Sequence, residues 1–290
     1  MFLASDWTDY EVLDCGGGEK LERWQNVILR RPDPQAIWPA RNKELWKSAD
    51  AHYHRSEKGG GSWEFMRTLP ERWTVSYRDL TFYVRPTGFK HTGLFPEQAA
   101  NWDWMRSRIE SRVREGRSVE VLNLFGYTGG ATMACARAGA RVTHVDAAKG
   151  MVQWARENKT VCQLPEESTR WIVDDAKKFV EREIRRGHFY DAVLMDPPSY
   201  GRGPSGEVWR LEDELYDLVR VCSEVLTEDP LFFLINGYTT GFQASVLANM
   251  IDLTVKEKHG GIILADELCL PVTAGGVLPC GTSGRWQNDK

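Results

Sequence analysis

Four short apolar segments of the chain each end in residues that could bind or position a ligand. They cover residues 119–130, 141–146, 171–176 and 190–200 and follow one another at intervals the length of a helix. The first ends in a glycine-rich turn, the second and third end in aspartates, and the fourth ends in Asp196-Pro197-Pro198-Ser199-Tyr200. Strands that end in this way are typical of an open α/β sheet, which binds ligands beyond the carboxyl ends of its strands.

The glycine-rich turn Phe125-Gly126-Tyr127-Thr128-Gly129-Gly130 and the aspartate that closes the next segment predict a nucleotide-type cofactor site. Glycine lets the chain turn tightly and lets backbone amides approach a ligand, although such turns also simply join strands to helices. Asp146 follows about twenty residues later, where an acidic side chain can accept both ribose hydroxyls; the alternative is a helix cap. We therefore predict cofactor contacts from Phe125, Gly126, Tyr127, Thr128, Gly129 and Asp146.

The third and fourth segments separate this site from that of a dinucleotide enzyme. The turn lacks the G-x-G-x-x-G spacing that places a pyrophosphate. After the third segment, Asp174-Asp175-Ala176 offers a carboxylate and backbone groups to an adenine edge. We predict cofactor contacts from Asp175 and Ala176, and a further one from Asp196.

These segments, in this order, resemble the class I S-adenosylmethionine-dependent methyltransferases from about residue 82 to the C terminus. More narrowly, the chain resembles the group built around large-subunit ribosomal RNA methyltransferases, whose members often join a small β-rich domain to the catalytic sheet. Residues 89–95 with Glu97-Gln98 resemble that group's G-x-K-T-G-x-x-x-D-Q segment, with His91 inserted after Lys90 and Glu97 in place of Asp. The resemblance implies S-adenosylmethionine as cofactor and RNA, ribosomal RNA above all, as partner. It also favours Asp175 over Asp174, because the family places its adenine contact directly before the helix that follows.

The fourth segment carries the predicted catalytic residues Asp196, Pro197 and Tyr200. The methyl group of the cofactor is already activated, so the enzyme must align a nucleophile and exclude water, and no metal is required. Asp196 and the Pro197 carbonyl can accept the hydrogens of a base amine, and Tyr200 can stack on an unpaired or flipped base. The segment departs from the N-P-P-Y pattern of amino methyltransferases by its first residue and by the inserted Ser199. The alternative is a Pro-Pro turn with a packing tyrosine.

Methylation of cytosine C5 would need a cysteine that adds to the ring. In the cytosine-C5 members of the resembling family, that cysteine follows the fifth strand, whereas this strand ends in Asn236-Gly237-Tyr238. Cys222 lies in a helical pattern and is predicted to be buried packing. We therefore predict methyl transfer to nitrogen.

The fold class predicted is α/β, a Rossmann-like class I methyltransferase sheet with a C-terminal antiparallel hairpin and a small β-rich N-terminal domain. The chain has 290 residues, enough for two unequal domains. We place the small domain, a candidate for substrate binding, at 1–95 and the cofactor-binding domain at 96–290. Helices are expected near 96–114, 175–186, 209–226 and 242–258, and the hairpin near 261–281. Residues 20–29 are expected to form one strand of the small domain, with glycine-rich turns at 16–18 and 59–61. A glycine-rich loop is expected at 201–206 that could close over the substrate.

Charge complicates the RNA interpretation. The net charge of −4 argues mildly against a large nucleic-acid footprint, because phosphate binding relies on lysine and arginine. Arginines lie near Trp24, Trp38 and Trp46 in the N-terminal segment. These tryptophans either stack on bases, with the arginines beside them, or form the core of the small domain beneath a solvated face.

The remaining features are mainly exclusions. The chain shows no signal peptide or membrane span, and we expect a cytoplasmic protein. Its six cysteines form no C-x-x-C pair, which argues against a zinc ribbon or a disulfide framework. His52-Tyr53-His54 could bind a metal ion, but a pair in an exposed loop is far more common and no metal site is predicted. A methyltransferase for a small molecule or protein, and a non-catalytic cofactor-binding module, stay open as alternatives, as does the oligomeric state.

Overall fold

The structure divides into two compact units. It is a computed structural model that describes residues 1–56, 60–202, 208–239 and 241–289. The N-terminal unit comprises Met1–Ala100 and Leu268–Cys280, and the C-terminal unit comprises Asn101–Glu267 and Gly281–Lys290. The segment Leu268–Cys280, which comes late in the sequence, thus groups with the N-terminal strands.

The N-terminal unit is built from β strands. They are β1 (Phe2–Leu3), β2 (Tyr10–Gly16), β3 (Glu19–Trp24), β4 (Val27–Pro32), β5 (Ala51–Arg55), β6 (Gly61–Phe65), β7 (Trp73–Tyr77) and β8 (Leu80–Val84). β2 to β6 form a five-stranded sheet in sequence order, and β7 pairs with β8. Short 3₁₀ helices cover Leu45–Ser48 and Pro96–Gln98. The β-rich character agrees with the sequence analysis.

From residue 99 onwards the chain alternates helices and strands. The elements are α1 (Ala99–Arg114), β9 (Glu120–Leu124), α2 (Gly130–Arg137), β10 (Arg141–Asp146), α3 (Lys149–Val161), a 3₁₀ helix (Glu166–Ser168), β11 (Thr169–Val173), α4 (Ala176–Arg186), β12 (Ala192–Met195), β13 (Tyr200–Arg202), β14 (Val208–Arg210), α5 (Leu211–Ser223), β15 (Phe232–Gly237), α6 (Ala244–Ile251), a π-helical segment (Asp252–Lys256), α7 (Glu257–His259), β16 (Ile262–Pro271) and β17 (Val277–Gln287).

The main sheet has the topology of a doubly wound α/β fold. Its parallel strands run in the order β15-β12-β9-β10-β11, and β17 lies antiparallel beside β15 with β16 next to it. The predicted Rossmann-like sheet and C-terminal hairpin are therefore confirmed. The strand order reverses between β9 and β12, and ligands of such sheets bind at this switch point, beyond the carboxyl ends of the strands. In the structure, the segments that follow β9 and β12 are the glycine-rich turn and Asp196-Pro197-Pro198.

Local sequence explains these elements. β12 is buried along its whole length, as expected of a central parallel strand. α4 begins after Asp175, whose side chain accepts a hydrogen bond from the Lys178 amide at 2.9 Å, and ends at Gly187 in the left-handed conformation. Side chains of β9, β10, β12 and β15 pack with those of α4 and α5 in one apolar cluster. This core supports the switch point from below.

Two details differ from the sequence-based expectations. Residues 20–29, taken as one strand, fold as β3 and β4, because Gln25 adopts a left-handed turn without glycine. The histidines 52 and 54 lie on β5 rather than in a loop. Parts of the glycine-rich segments 59–61 and 201–206 fall outside the described residues. No described helix combines the length and apolarity needed to cross a bilayer.

The N-terminal unit buries an ion pair beside its central tryptophan. The Arg31 guanidinium donates to both oxygens of Glu22 at 2.6 and 2.8 Å, and the Tyr10 hydroxyl donates to the same carboxylate at 2.5 Å. Arg31 also lies over the fully buried Trp24 ring. For Trp24 the interpretation as core is therefore correct. Arg31, which that interpretation placed on a solvated face, is instead buried, and neither residue is exposed enough to stack on a base.

Loss of one partner of this pair should destabilise the fold strongly. For Arg31→Met we expect a fall of about 3–5 kcal/mol in the free energy of unfolding, because the buried Glu22 carboxylate loses its bidentate partner. Urea denaturation at pH 7 measures the change. Lys47→Met is the control: its partner Glu44 is exposed, and we expect a change below about 0.5 kcal/mol.

The same pair has a pH signature. Arg31 and Lys20 lower the pKa of Glu22 from 4.5 to about 2 against the effect of burial. Stabilisation by the ionised carboxylate is therefore complete above pH 4.5 and lost as the pH falls towards 2. The difference between wild type and Arg31→Met should shrink over that window; a constant difference would contradict the assignment.

Candidate functional site

The turn between β9 and α2, residues 125–130, has an unusual backbone conformation; we call it the cofactor turn. Phe125, Tyr127 and Gly129 have φ angles of 54°, 50° and 85°. Only one of these three left-handed residues is a glycine, and non-glycine residues in this region cost about 1–3 kcal/mol each when the surrounding structure imposes them. Such strain is concentrated at ligand sites, so the conformation supports the predicted role of the turn.

Backbone and side-chain contacts hold the cofactor turn in place. The Gly126 amide donates to the Val145 carbonyl at 3.0 Å, and the Tyr127 amide donates to Asp146 Oδ2 at 2.8 Å. Gly126 lies so close to His144 that a Cβ atom there would be 2.4 Å from the imidazole Cε1. The Asn158 side chain donates to the carbonyl of Thr128 at 2.8 Å. The turn is therefore anchored on β10 and α3.

A buried polar chain beneath the cofactor turn was not anticipated from the sequence. Asn123 Nδ2 donates to Thr132 Oγ1 at 2.8 Å, and Thr132 Oγ1 lies 2.8 Å from His144 Nδ1. Since the hydroxyl oxygen accepts from the amide, its own hydrogen can be donated to Nδ1. Burial lowers the pKa of His144 to about 3, so the imidazole is neutral at physiological pH. The sequence feature that could have revealed this chain is the presence of polar residues, Asn123 and His144, inside strands that are otherwise mostly apolar.

Asp146 joins the cofactor turn to the end of β10. Its Oδ2 accepts from the Tyr127 amide and its Oδ1 accepts from the Ala148 amide, each at 2.8 Å. Each carboxylate oxygen retains a second acceptor position. Burial raises the pKa of Asp146, because two amide donors do not fully replace the lost water. Further donors, such as the two hydroxyls of a ribose, would fit this carboxylate.

The Asp174-Asp175-Ala176 segment lies at the end of the strand next to β10. Asp174 pairs with Arg182, and Asp175 serves as the N-cap of α4. Ala176 is the buried first residue of that helix. The contacts predicted from Asp175 and Ala176 to an adenine stay predictions, with the Asp175 side chain already engaged through one oxygen.

The segment after β12, residues 196–200, is fixed by donors outside it; we call it the acceptor loop. Trp209 Nε1 donates to the Pro198 carbonyl at 2.6 Å, and the Leu211 amide donates to the Ser199 carbonyl at 3.1 Å. The Ser199 and Thr239 hydroxyls lie 2.6 Å apart. Contacts from β14, from the start of α5 and from the segment after β15 thus fix the Pro-Pro turn.

Trp209 also contacts the cofactor turn, which the sequence did not indicate. Its ring lies 5.8 Å from the Phe125 ring, so one side chain touches both the cofactor turn and the acceptor loop. Tyr200 begins β13, which pairs with β14, and its side chain is 52% exposed. Asp196 and Pro197 lie directly after β12 at the switch point. The structure thus places the predicted catalytic segment beside the predicted cofactor segment.

The cysteines do not offer a nucleophile at this site. β15 ends at Asn236-Gly237 without a cysteine, and all six cysteines are free thiols. Cys222 is fully buried, and burial raises its thiol pKa well above the ordinary value. A protonated, inaccessible thiol cannot attack a pyrimidine ring.

Comparison with known proteins agrees with the fold. The sequence model of the S-adenosylmethionine-dependent methyltransferase family matches residues 46–243. A crystal structure of an S-adenosylmethionine-dependent methyltransferase from Agrobacterium tumefaciens is 36% identical, with a TM-score of 0.92 over 98% of this chain and 92% of that one. A methyltransferase structure from Streptococcus mutans shares the fold, with a TM-score of 0.74 at 17% identity over 97% of this chain and 76% of that one.

Among curated relatives, the chain is 29% identical over 186 residues to ribosomal RNA large subunit methyltransferase K/L of Syntrophotalea carbinolica. The match covers 63% of this chain but only 25% of that protein. Ribosomal RNA large subunit methyltransferase I of Photobacterium profundum is 29% identical over 137 residues, 47% of this chain and 33% of the relative. The chain therefore spans a quarter to a third of these relatives.

The family match over most of the chain, the switch-point geometry and the near-complete overlap with a solved methyltransferase agree. The chain belongs to the S-adenosylmethionine-dependent methyltransferase family, and S-adenosylmethionine is its cofactor.

Proposed function

We propose that the protein methylates a nitrogen of an RNA base, with ribosomal RNA as the acceptor. The observation that carries this proposal is the hydrogen bonding of the backbone carbonyls in the acceptor loop. The carbonyls of Pro198 and Ser199 already accept hydrogen bonds, from Trp209 and Leu211 respectively. For the buried Pro197, the described part of the chain supplies no donor to the carbonyl. This carbonyl follows Asp196 directly, so a carboxylate and a carbonyl stand next to each other in the chain as candidate acceptors for the hydrogens of an amine.

The cofactor site fits S-adenosylmethionine in the chemistry of its donors and acceptors. Asp146 has two unused acceptor positions and an elevated pKa, which favours it as the partner of two hydroxyls. A side chain on Gly126 would collide with His144, so the turn keeps a bare backbone. The bound cofactor supplies a methyl group activated by its positive sulfur. The protein then accelerates the reaction mainly by aligning the acceptor nitrogen with the methyl group and by excluding water.

The acceptor residues have distinct proposed roles. Asp196 and the Pro197 carbonyl accept the two amine hydrogens, which directs the nitrogen lone pair away from them. Methylation leaves one proton to be removed from the nitrogen, and the Asp196 carboxylate is the group to which we assign it. Tyr200 is exposed, and we assign its ring to stack on the base, which would be unpaired or flipped out.

Nitrogen rather than carbon follows from the cysteine chemistry. Carbon methylation of cytosine requires a thiolate that adds to the ring, and the buried Cys222 cannot provide one. Ribosomal RNA is favoured because the curated relatives carry that substrate in their names. With that acceptor, we propose the cytoplasm as the place of action.

Asp146→Asn tests the cofactor role of the carboxylate. We expect the dissociation constant for S-adenosylmethionine to rise about tenfold to a hundredfold, because hydrogen bonds to a charged group contribute about 1.5–3 kcal/mol. Isothermal titration calorimetry measures this constant. Asp252→Asn, which changes an exposed aspartate paired with Lys256, should leave it unchanged. Unaltered affinity in Asp146→Asn would remove the ribose assignment.

Trp209→Phe tests the fixing of the acceptor loop. The ring contact with Phe125 is retained while the bond to the Pro198 carbonyl is lost. We expect kcat to fall about tenfold to a hundredfold through misalignment, with cofactor affinity changed less than about twofold. Trp46→Phe is the matched control, since it removes an indole bond to Asp14 in the other unit. Equal effects of both variants on kcat would argue against a specific role.

The proposed reaction is tested with labelled S-adenosylmethionine and ribosomal RNA from cells that lack this protein. We expect label in an N-methylated nucleoside by mass analysis, and a loss of about a hundredfold or more in Asp196→Ala. Label in 5-methylcytosine would refute the nitrogen assignment. Cofactor binding without transfer to RNA, together with transfer to protein or small molecules from a cell extract, would refute the RNA assignment.

A further inference from the structure

Two histidines and a glutamate converge on one face of the N-terminal five-stranded sheet. His52 and His54 alternate along β5, so both side chains leave the same face. Glu64 on β6 is the direct cross-strand partner of His52. One nitrogen of each histidine and one carboxylate oxygen all lie within 4.8 Å of one another. We propose that these three side chains bind a divalent transition-metal ion, Zn²⁺ in particular.

The donor set agrees with this class of metal. Two imidazole nitrogens and one carboxylate oxygen suit zinc, whereas magnesium and calcium take oxygen ligands almost exclusively. With neutral imidazoles, the three ligands carry a single negative charge, which the metal ion more than offsets. A fourth position is left to water, as in zinc sites with three protein ligands.

The hydrogen bond from His52 to Glu19 is an independent sign of a ligand. His52 Nε2 lies 2.7 Å from Glu19 Oε1, and the ionised carboxylate can only accept. The proton of a neutral His52 is therefore on Nε2, and Nδ1 presents its lone pair. Histidines that bind metals almost always donate their other nitrogen to a carboxylate or carbonyl in this way.

Glu19 itself is not a ligand in this arrangement. Arg30 donates to Oε2 of Glu19 from two nitrogens, and His52 takes Oε1. Both oxygens are engaged, so Glu19 orients the imidazole and Arg30 holds Glu19. The side chain of His52 is only 13% exposed, which limits its movement.

His54 and Glu64 form the open side of the site. In the structure His54 Nε2 lies 2.8 Å from Glu64 Oε2, a hydrogen bond in which a proton stands where the metal would be. Tetrahedral zinc with bonds of about 2.0 Å separates its ligand atoms by about 3.3 Å. The His54 and Glu64 atoms must therefore open by roughly half an ångström, and the widest pair must close by no more than about 1.5 Å. Both side chains are exposed, so rotation about their own bonds suffices.

A zinc ion at this position would join neighbouring strands. His52 and His54 belong to β5 and Glu64 belongs to β6, so binding crosslinks the two strands through side chains. Because a ligand that binds only the folded form stabilises it, zinc should also raise the unfolding temperature.

The test is zinc titration of the 290-residue chain, freed of metal by a chelator, in a calorimeter. We expect one Zn²⁺ per chain with a dissociation constant in the micromolar range, and no matching heat with Mg²⁺. His54→Ala and Glu64→Gln should each weaken binding by about tenfold or more, since each removes a ligand. Both change exposed side chains, and circular dichroism confirms that the fold is retained.

His188→Ala is the matched control. His188 is a partly exposed histidine 2.8 Å from a carboxylate, Glu183, in the other unit. Among the described residues it belongs to no group of three possible metal ligands. Zinc affinity should be unchanged in this variant. Wild-type binding weaker than millimolar, or a loss in His188→Ala equal to that in His54→Ala, would overturn the proposal. So would unchanged affinity in both ligand variants.

Discussion

The strained conformation of the cofactor turn is the constraint on which the site depends. Two non-glycine residues, Phe125 and Tyr127, keep left-handed backbones that the free chain would avoid. They do so because Asp146 binds the Tyr127 amide and because His144 leaves no room for a side chain on Gly126. The end of β10 therefore shapes the end of β9. Asp146 therefore fixes the turn, and in the cofactor site that we propose the same carboxylate would also bind the ribose.

The buried chain from Asn123 through Thr132 to His144 explains how polar groups can support a turn from inside the sheet. All three side chains are buried, and unpaired polar groups there would be costly. The neutral state of His144 suits the cofactor position that we propose, because a charged imidazole beneath the turn would add positive charge below a cationic ligand. Trp209 completes the arrangement from above, since it contacts Phe125 and fixes the Pro198 carbonyl.

Local patterns in the sequence predicted the elements that are determined locally. The bounds of β10 were read directly from an apolar run that ends in an aspartate, and the C-terminal hairpin from its glycine turn. Contacts between distant residues left no such pattern. The bond from Trp209 to Pro198 depends on the β13–β14 pairing, and the Glu22–Arg31 pair depends on the register of β3 and β4. The turn at Gln25 was missed because its left-handed residue is not a glycine.

Charge pairing in the N-terminal unit bears on how an RNA could be recognised. Arg23, Arg30 and Arg31 are each paired with a glutamate, so these cations are already neutralised in the folded protein. Binding through many phosphates requires cations that can displace counterions, and a chain of net charge −4 that commits arginines to internal pairs has fewer to offer. If RNA is the acceptor, as we propose, its recognition must rely more on the fit of a single unpaired base. In that proposal the fixed acceptor loop, which carries the Asp196 carboxylate beside the Pro197 carbonyl and the exposed Tyr200, would select a base by its amine edge and its flat face.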